Sequence, residues 1–483
     1  MKYVLSIDQG TSSTRSIIFD ENGDQKGSHQ IEHKQYYPHP AWVEHDPEEI
    51  WKNTKLAMRG ALESSGLDWT DLTSIGITNQ RETLVAWDRN TSLPLENAIV
   101  WQCRRTADRV KELKEYKELF QEKTGLILDA YFSGTKMEWL LKNSDNVAQA
   151  SKDGSLSFGT IDSWLIYKMS GEHVTEASNA SRTLVYNIHN GEWDEELLGI
   201  LGISESTLPE VSVNASDPLG YFKNVPIGGA LGDQQAALFG QLCFNPGELK
   251  NTYGTGNFTL LNTGSKVVNS KNGLLSTIAW DFGKGVTYAL EGSVFVTGAA
   301  LRWLRDEMSF VDDYSEIDSK ASPSNNGVVF VPAFVGLGAP RWDSSARGTI
   351  LGLTRSTTKG DIIRAALESI AFQTEDLLGL MRNEANLKIS DLRVDGGQTK
   401  SDLLMSIQAD ISQISVSIPK ERETTALGAA FVAGLGSVWE DIDSLKELNP
   451  TVRQFTHSIG EEERSSLLRK WKRGVERSLH WID

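Results

Sequence analysis

Between Ile7 and Arg15 the sequence IDQGTSSTR sets an acid, a glycine, a run of hydroxyl residues and an arginine side by side. Glycine lets a turn bend tightly enough for backbone N–H groups and hydroxyls to converge on one anion. An acid in such a grip repels phosphate, so Asp8 makes sense there with a cation such as Mg²⁺ between the two. Taken alone, the same pattern also describes a plain hairpin turn that carries an acid. A second turn of this design, ELKNTYGTGNFTLL from Glu248 to Leu261, repeats Gly10-Thr11 as Gly254-Thr255-Gly256 about halfway along the chain. Two strand–turn–strand phosphate grips, one opening each half, predict two similar α/β domains closing on one nucleotide. Competing nucleotide signatures fail. Gly283-Lys284 lacks the glycine and hydroxyl residue of a P-loop, and Gly254-x-Gly256 opens a strand and not a helix.

The acceptor side of a phosphate transfer needs a base and hydroxyl ligands. Asp233 stands in a glycine turn before a helical segment, where the helix N-terminus favours its ionised form. A general base and a helix N-cap are the two roles open to it. Arg81 and Glu82, in NQRET, follow the strand SIGIT at its carboxyl end, where ligands bind in open α/β sheets. Adjacent donor and acceptor suit a vicinal diol, and they also make an ordinary surface ion pair. Trp101, Tyr131 and Phe258 offer walls for a small carbon skeleton, or core packing.

These residues must be positioned by strands and helices that the pattern also marks. Tyr3–Ile7 and Ser16–Phe19 read as strands around the first grip, followed by the hairpin signal Asn22-Gly23. Ser74–Thr78 and Val85–Trp87 read as strands, and Tyr131–Asn143 as a turn feeding a helix. Pro226–Gly229 reads as a glycine turn opening a helix over Ala230–Leu242. Asn245-Pro246-Gly247 stops that helix and marks the boundary between a domain of residues 1–245 and one of 246–483. In the second half, Ile363, Leu367, Ile370, Leu377 and Met381 recur at helical spacing within Asp361–Met381. VDGGQTKS, from Val394 to Ser401, is a strand end, a glycine turn that suits a nucleoside shelf, and a helix start. Leu404, Ile407, Ile411 and Ile414 line one face of that helix, and Glu461–Asp483 reads as a charged amphipathic helix with a solvated face.

The bulk numbers agree with two folded domains. The chain has 483 residues, 39% of them hydrophobic, too many for one ordinary core. A net charge of −17 excludes a general affinity for nucleic acid or anionic membrane, so an anionic ligand needs local help from metal, arginine and backbone amides. Cys103 and Cys243 have no metal-ligand spacing, which fits a reducing cytoplasm. The apolar N-terminal run is cut off by Asp8, and no stretch approaches the roughly 20 apolar residues of a membrane span. These features predict a cytoplasmic protein without a membrane span.

Taken together, the blocks IDQGTSSTR, GITNQRET, AIVWQCRRT, YFSGTKMEWLLKN, SNASRT, GDQQAALFGQL, NTYGTG, LEGSVFVTGAA, GLGAPRWD and RVDGGQ resemble the FGGY carbohydrate kinases over essentially the full length. NQRET, WQCRRT and GDQQAALFGQL resemble the members that phosphorylate glycerol, more than those acting on xylulose, gluconate or ribulose. The resemblance implies the actin, sugar kinase and chaperone ATPase fold: two ribonuclease-H-like domains around a nucleotide cleft. It implies ATP as phosphoryl donor, glycerol as acceptor and Mg²⁺ held through water by Asp8. It places Thr11, Ser12, Ser13, Arg15 and Thr255 on the nucleotide phosphates, and Gly298, Arg302, Gly397 and Ser401 at the nucleoside. Arg81, Glu82, Tyr131, Asp233 and Gln234 become ligands of the polyol hydroxyls, Trp101 and Phe258 its apolar walls, and Asp233 the general base. Homodimers and homotetramers both occur in the family, and nothing here selects one.

Two positions depart from the family. Arg302 stands where many members have glutamine, and Ser401 where many have asparagine, so the nucleoside contacts differ. Asp217–Gly229 is short and lacks the glycine-and-arginine loop that binds fructose 1,6-bisphosphate in some bacterial members. No histidine occurs between Val211 and Gly229 to accept an activating phosphate. Neither form of regulation is expected. Another sugar kinase of the family, such as one for a pentulose, and an actin-like ATPase without a polyol site are the alternatives to weigh.

Overall fold

The computed structural model describes residues 1–214 and 217–482. Ala215, Ser216 and Asp483, which fall within the stretches Val211–Gly229 and Glu461–Asp483 considered above, lie outside the described residues. The molecule is built on two sheets of one plan. In the first, Tyr3–Gln9, Ser13–Asp20 and Gln25–Glu32 form an antiparallel meander that turns at Gly10 and at Asn22-Gly23. Leu72–Asn79 then pairs parallel to Tyr3–Gln9, and Val225–Gly232 parallel to Leu72–Asn79. Val4, Leu5 and Ile7 are fully buried because the sheet is covered on both faces, as parallel strands require. In register, Gln9, Asn79 and Gly232 lie level at the carboxyl ends of three neighbouring strands.

The second sheet repeats the arrangement. Leu249–Tyr253, Asn257–Gly264, Val286–Val294 and Leu275–Asp281 pair antiparallel, while Asp391–Asp395 and Ser415–Pro419 join parallel on the other side of Leu249–Tyr253. Residues 84–210 lie between two strands of the first sheet and pack around Leu84, Phe120, Phe132, Phe158 and Leu197. That layer carries Trp101 and Tyr131.

The helix with the periodic apolar stripe runs Lys359–Ala385, started by a Thr358–Asp361 capping box. Its Ile363, Leu367, Ile370, Leu377 and Met381 are all buried, each contributing about 1.5–3 kcal/mol relative to exposure. The helices Asp233–Gly240 and Thr424–Gly434 cross between the two sheets. A side chain on Gly240 would meet the carbonyl of Thr424, and one on Gly428 the carbonyl of Ala236. Only glycine lets the two backbones approach so closely.

One expectation is corrected. Pro226–Gly229 is not a turn, and the following helix does not start at Ala230: Val225–Gly232 is one strand, and the helix begins at Asp233 and ends at Gly240. The glycines there serve close packing, since Gly228 lies under the carbonyl of Ala433. The C-terminal helix covers Glu461–Glu476 and is amphipathic, as its sequence pattern predicts. Its Trp471 is buried, stacks on Phe372 at 5.3 Å and donates Nε1–H to Asp376 at 2.9 Å. Among the described residues, no helix is long and apolar enough to cross a membrane. Cys103 and Cys243 are buried and unpaired.

Candidate functional site

The first turn is held from behind. The Gly10 N–H donates to the Ser13 carbonyl at 2.9 Å, and the Thr11 carbonyl accepts His33 Nε2 at 2.9 Å and Gln35 Nε2 at 3.1 Å. Trp101 Nε1–H donates to the Thr11 hydroxyl at 2.9 Å, which ties this turn to an expected acceptor wall. Ser12 is exposed and Ser13 accepts from Gln30 at 2.8 Å. Arg15 does not extend freely into the cleft. It donates to Gln30 and pairs at 2.5 Å with Glu423, just before the Thr424–Gly434 helix.

Asp8 and Asp233 share one end of the first sheet. Asp8 lies in register with Thr78 and Leu231, two residues before Asp233, and the Asp233 carboxylate is near enough for its charge to act on Asp8. Burial, and then the charge of Asp233, push the Asp8 carboxyl up to about 7, opposed by Arg15. Two like charges converging on one point fit a divalent cation, which removes the repulsion. Oxygen donors of this kind suit Mg²⁺, which binds through one or two carboxylates and keeps several waters. Among the described residues no cluster of three or more metal-ligating side chains exists.

Asp233 is the first residue of its helix, and Gly232 holds the N-cap position, so the N-cap role falls away. Its Oδ1 accepts the Gln234 N–H at 2.7 Å and forms an ion pair with Arg81 Nε at 3.1 Å. Oδ2 is left as the oxygen for another partner, on a side chain 30% exposed. Arg81 is buried, not a surface ion pair. It also donates to Gln235 at 3.1 Å and to Glu291. Burial alone would lower its pKa, but Glu291, Glu82 and Asp233 raise it well above normal.

Glu82 has a left-handed backbone, φ 62°, a strained conformation for a side chain with a Cβ. The strain is held by Ser133 Oγ and Lys136 Nζ, which donate to its carbonyl at 3.0 and 3.1 Å. Lys136 also donates to the Tyr131 carbonyl at 2.7 Å, so one buried lysine sets two expected polyol ligands. Arg182 donates Nε–H to Glu82 at 2.6 Å and Nη2–H to Glu291 at 3.1 Å, while its buried Nη1 has no partner among the described residues. Tyr131 meets Trp101 edge to face at 5.5 Å.

Sequence patterns alone did not single out Glu291, Arg182, Lys136 or Lys250. Glu291 and Lys250 come from the second sheet and are fully buried. Lys250 reaches the Gln234 Oε1 and the Phe258 carbonyl. The signal available was a single charge inside each strand, in YALEGSV and ELKNTY. Phe258 lies half-buried between them.

On the nucleoside side, Thr255 is exposed at the tip of the second turn. Its carbonyl accepts the N–H groups of Thr297 and Ala299, so the turn docks on the start of the helix Gly298–Asp306. Gly298 donates to Gly254 at 3.2 Å. Gln398, another residue not singled out above, closes the corner by donating to Gly254 and Thr297. Gly396, at φ 91°, lies against the Tyr253 backbone, and Gly397 beside it is exposed with open space around it. Arg302 is exposed. Ser401 caps the helix Asp402–Ser412 and donates to Asp318, so its hydroxyl is already engaged.

Comparison with known proteins identifies the family. Residues 3–240 match the model of the FGGY family of carbohydrate kinases, N-terminal domain, and residues 249–437 the C-terminal domain. "Glycerol kinase 2" of Thermotoga maritima is 52% identical, aligned over 100% of this chain and 99% of that protein. "Glycerol kinase" of Deinococcus radiodurans is 50% identical over 100% and 98%. Among solved structures, Plasmodium falciparum glycerol kinase with ADP superposes with a TM-score of 0.94 at 38% identity, covering 100% of this chain and 99% of that one. Xylulose kinase from Lactobacillus acidophilus, at TM-score 0.86 and 22% identity over 99% and 98%, shares the fold. The chain belongs to the FGGY family of carbohydrate kinases.

Proposed function

We propose that this FGGY kinase transfers the γ-phosphoryl group of ATP to glycerol, giving sn-glycerol 3-phosphate. The observation that carries the reading is the contact of Asp233 with Arg81 at the sheet end it shares with Asp8. Acceptor groups and phosphate-side groups thus meet at one point. The identity of about 50% to named glycerol kinases over whole chains supports the acceptor, and the ADP-bound relative supports the nucleotide.

Arg81, Glu82, Tyr131 and Gln234 would bind the glycerol hydroxyls, with Trp101 and Phe258 along the carbons. Asp233 Oδ2 would accept the proton of the attacking hydroxyl. The Gln234 N–H bond and the Arg81 ion pair, both on Oδ1, orient the carboxylate for that task. Phosphoryl transfer has a loose transition state, so placement of the hydroxyl counts as much as basicity. Mg²⁺, held through water by Asp8, would neutralise charge on the phosphates. Thr11, Ser12, Ser13 and Thr255 would grip those phosphates, and Gly298 and Gly397 the nucleoside. Arg302 is free on the surface for such a contact, while Ser401 would have to surrender its bond to Asp318. The domains would be residues 1–245 and 246–483, working in the cytoplasm as a homodimer or homotetramer.

ADP release from Mg·ATP, measured with no acceptor, with glycerol, with dihydroxyacetone and with pentuloses, tests the function. Release with glycerol and formation of sn-glycerol 3-phosphate are expected. Preference for a pentulose would reassign the acceptor, and equal release without any acceptor would mark an ATPase.

A further inference from the structure

Lys250 and Glu291 come from different strands of the second sheet yet stand on one row. Lys250 is opposite Leu260, and Leu260 is opposite Glu291. Directly opposed residues share a face of a sheet, so both charges point the same way. Glu291 meets Arg81 and Arg182 across the cleft. Lys250 meets Gln234, the residue after Asp233.

An ammonium has three N–H donors and no acceptor. Those of Lys250 go to Gln234 Oε1, to Thr252 Oγ1 at 2.9 Å and to the Phe258 carbonyl at 3.4 Å. A carboxamide can present either its oxygen or its NH₂ group, and a side chain alone does not decide which. Here the fully buried ammonium decides. Flipping the amide would set NH₂ against NH₃⁺ and leave a buried cation one acceptor short, a costly state. Oε1 therefore faces Lys250, and Nε2–H remains for a partner on the other side. Among the described residues, no protein oxygen takes it.

We propose that Lys250 is a positioning residue for the acceptor: it locks the Gln234 carboxamide so that Nε2–H donates to a polyol hydroxyl. The residue comes from the domain opposite to the one that carries Gln234, so acceptor affinity depends on how the two halves meet. This rests on glycerol being the acceptor. Glycerol-dependent turnover of the unaltered enzyme tests that premise by itself, and the variants below test only the role of Lys250.

The experiment is a two-residue cycle of Lys250→Met, Gln234→Ala and the double variant. For each, the KM for glycerol, the KM for ATP and kcat are measured. A hydrogen bond from a charged group is worth about 10- to 100-fold in binding. Lys250→Met is expected to raise the glycerol KM by that factor, with the ATP KM within about threefold of wild type. In the Gln234→Ala background the same substitution should change the glycerol KM by less than about twofold, because its target is gone. Lys250→Gln carries the same cycle if the methionine variant does not fold. An equal rise in both backgrounds, or no rise with Gln234 present, would overturn the proposal.

Discussion

Arg81 of the first sheet and Glu291 of the second are joined by two hydrogen bonds, at 2.5 and 3.1 Å, with both side chains buried. Burial pushes the Glu291 carboxyl up, but Arg182 and Arg81 outweigh it and hold it at about 2. The buried arginines of one half thus have their counter-ion in the other. Glu291→Gln should cost about 3–5 kcal/mol of stability, the usual effect of breaking one partner of a buried pair. The folded pKa lies below the unfolded value, so this stabilisation is present above about pH 4.5 and is lost as pH falls towards 2. Chemical denaturation of wild type and variant at pH 7 and pH 4 checks it: the difference between them should shrink at the lower pH.

Asp233→Asn keeps the shape of the side chain and removes the proposed base. General base assistance is worth about 10²–10⁴-fold, so kcat should fall by that order. Nucleotide binding, followed by tryptophan fluorescence on titration with Mg·ADP, should stay within about threefold. A kcat within about tenfold of wild type would take Asp233 out of the role.

The two strand–turn–strand elements were legible because a tight turn flanked by strands needs glycine at fixed places, as at Gly10 and Gly254. The periodic stripe of residues 359–385 was legible for the same local reason. The strand Val225–Gly232 was not, since VPIGGALG has the composition of a turn. Its small residues answer to a helix some 200 positions later, where Gly228 lies under Ala433. Glu291 and Lys250 were hidden in a similar way. A charge within a strand ordinarily faces water, and only strand register and domain contact show that both are buried. Arg81 and Glu82 stood out as an adjacent pair, but their burial depended on partners far along the chain.

Glu176 sits in a buried network behind the catalytic edge. It accepts Ser178 N at 2.7 Å and Asn179 Nδ2 at 2.9 Å, and Ser178 Oγ in turn accepts the Gly232 N–H at 3.0 Å. Burial, opposed by the Ser178 bond and aided by Asp162, pushes its carboxyl up to about 8. A raised folded pKa means the native state binds the extra proton. Stability should therefore fall as pH rises from about 4.5 to about 8, by up to about 1.4 kcal/mol per pH unit. Glu176→Gln keeps an acceptor without a charge, so thermal midpoints measured from pH 5 to 8 should show a flatter slope than wild type.

If Asp8 holds the cation as proposed, its carboxyl at about 7 would make cation affinity depend on pH. Below that value a proton competes with Mg²⁺, so the Mg²⁺ concentration for half-maximal activity should rise about tenfold per pH unit. Between pH 7.5 and 8.5 it should level off. Asp8→Asn should raise that concentration at every pH and abolish the slope. A wild-type requirement that does not change between pH 6 and 8 would remove Asp8 as the cation's anchor.

Arg15 is the one expected phosphate ligand already engaged with the opposite domain, through Glu423. Its side chain is 28% exposed and that of Glu423 45%, so the pair belongs to the weak surface class, worth about 0.2–1 kcal/mol. Nucleotide phosphates carry more charge than one carboxylate and would displace it, at the cost of that small energy. Glu423→Gln removes the competitor and spares Arg15. The KM for ATP should then fall by about two- to fivefold, with the glycerol KM unchanged, and the difference should fade in 0.5 M salt as the pair is screened. A higher ATP KM in Glu423→Gln would instead mean that the carboxylate holds Arg15 in its working position.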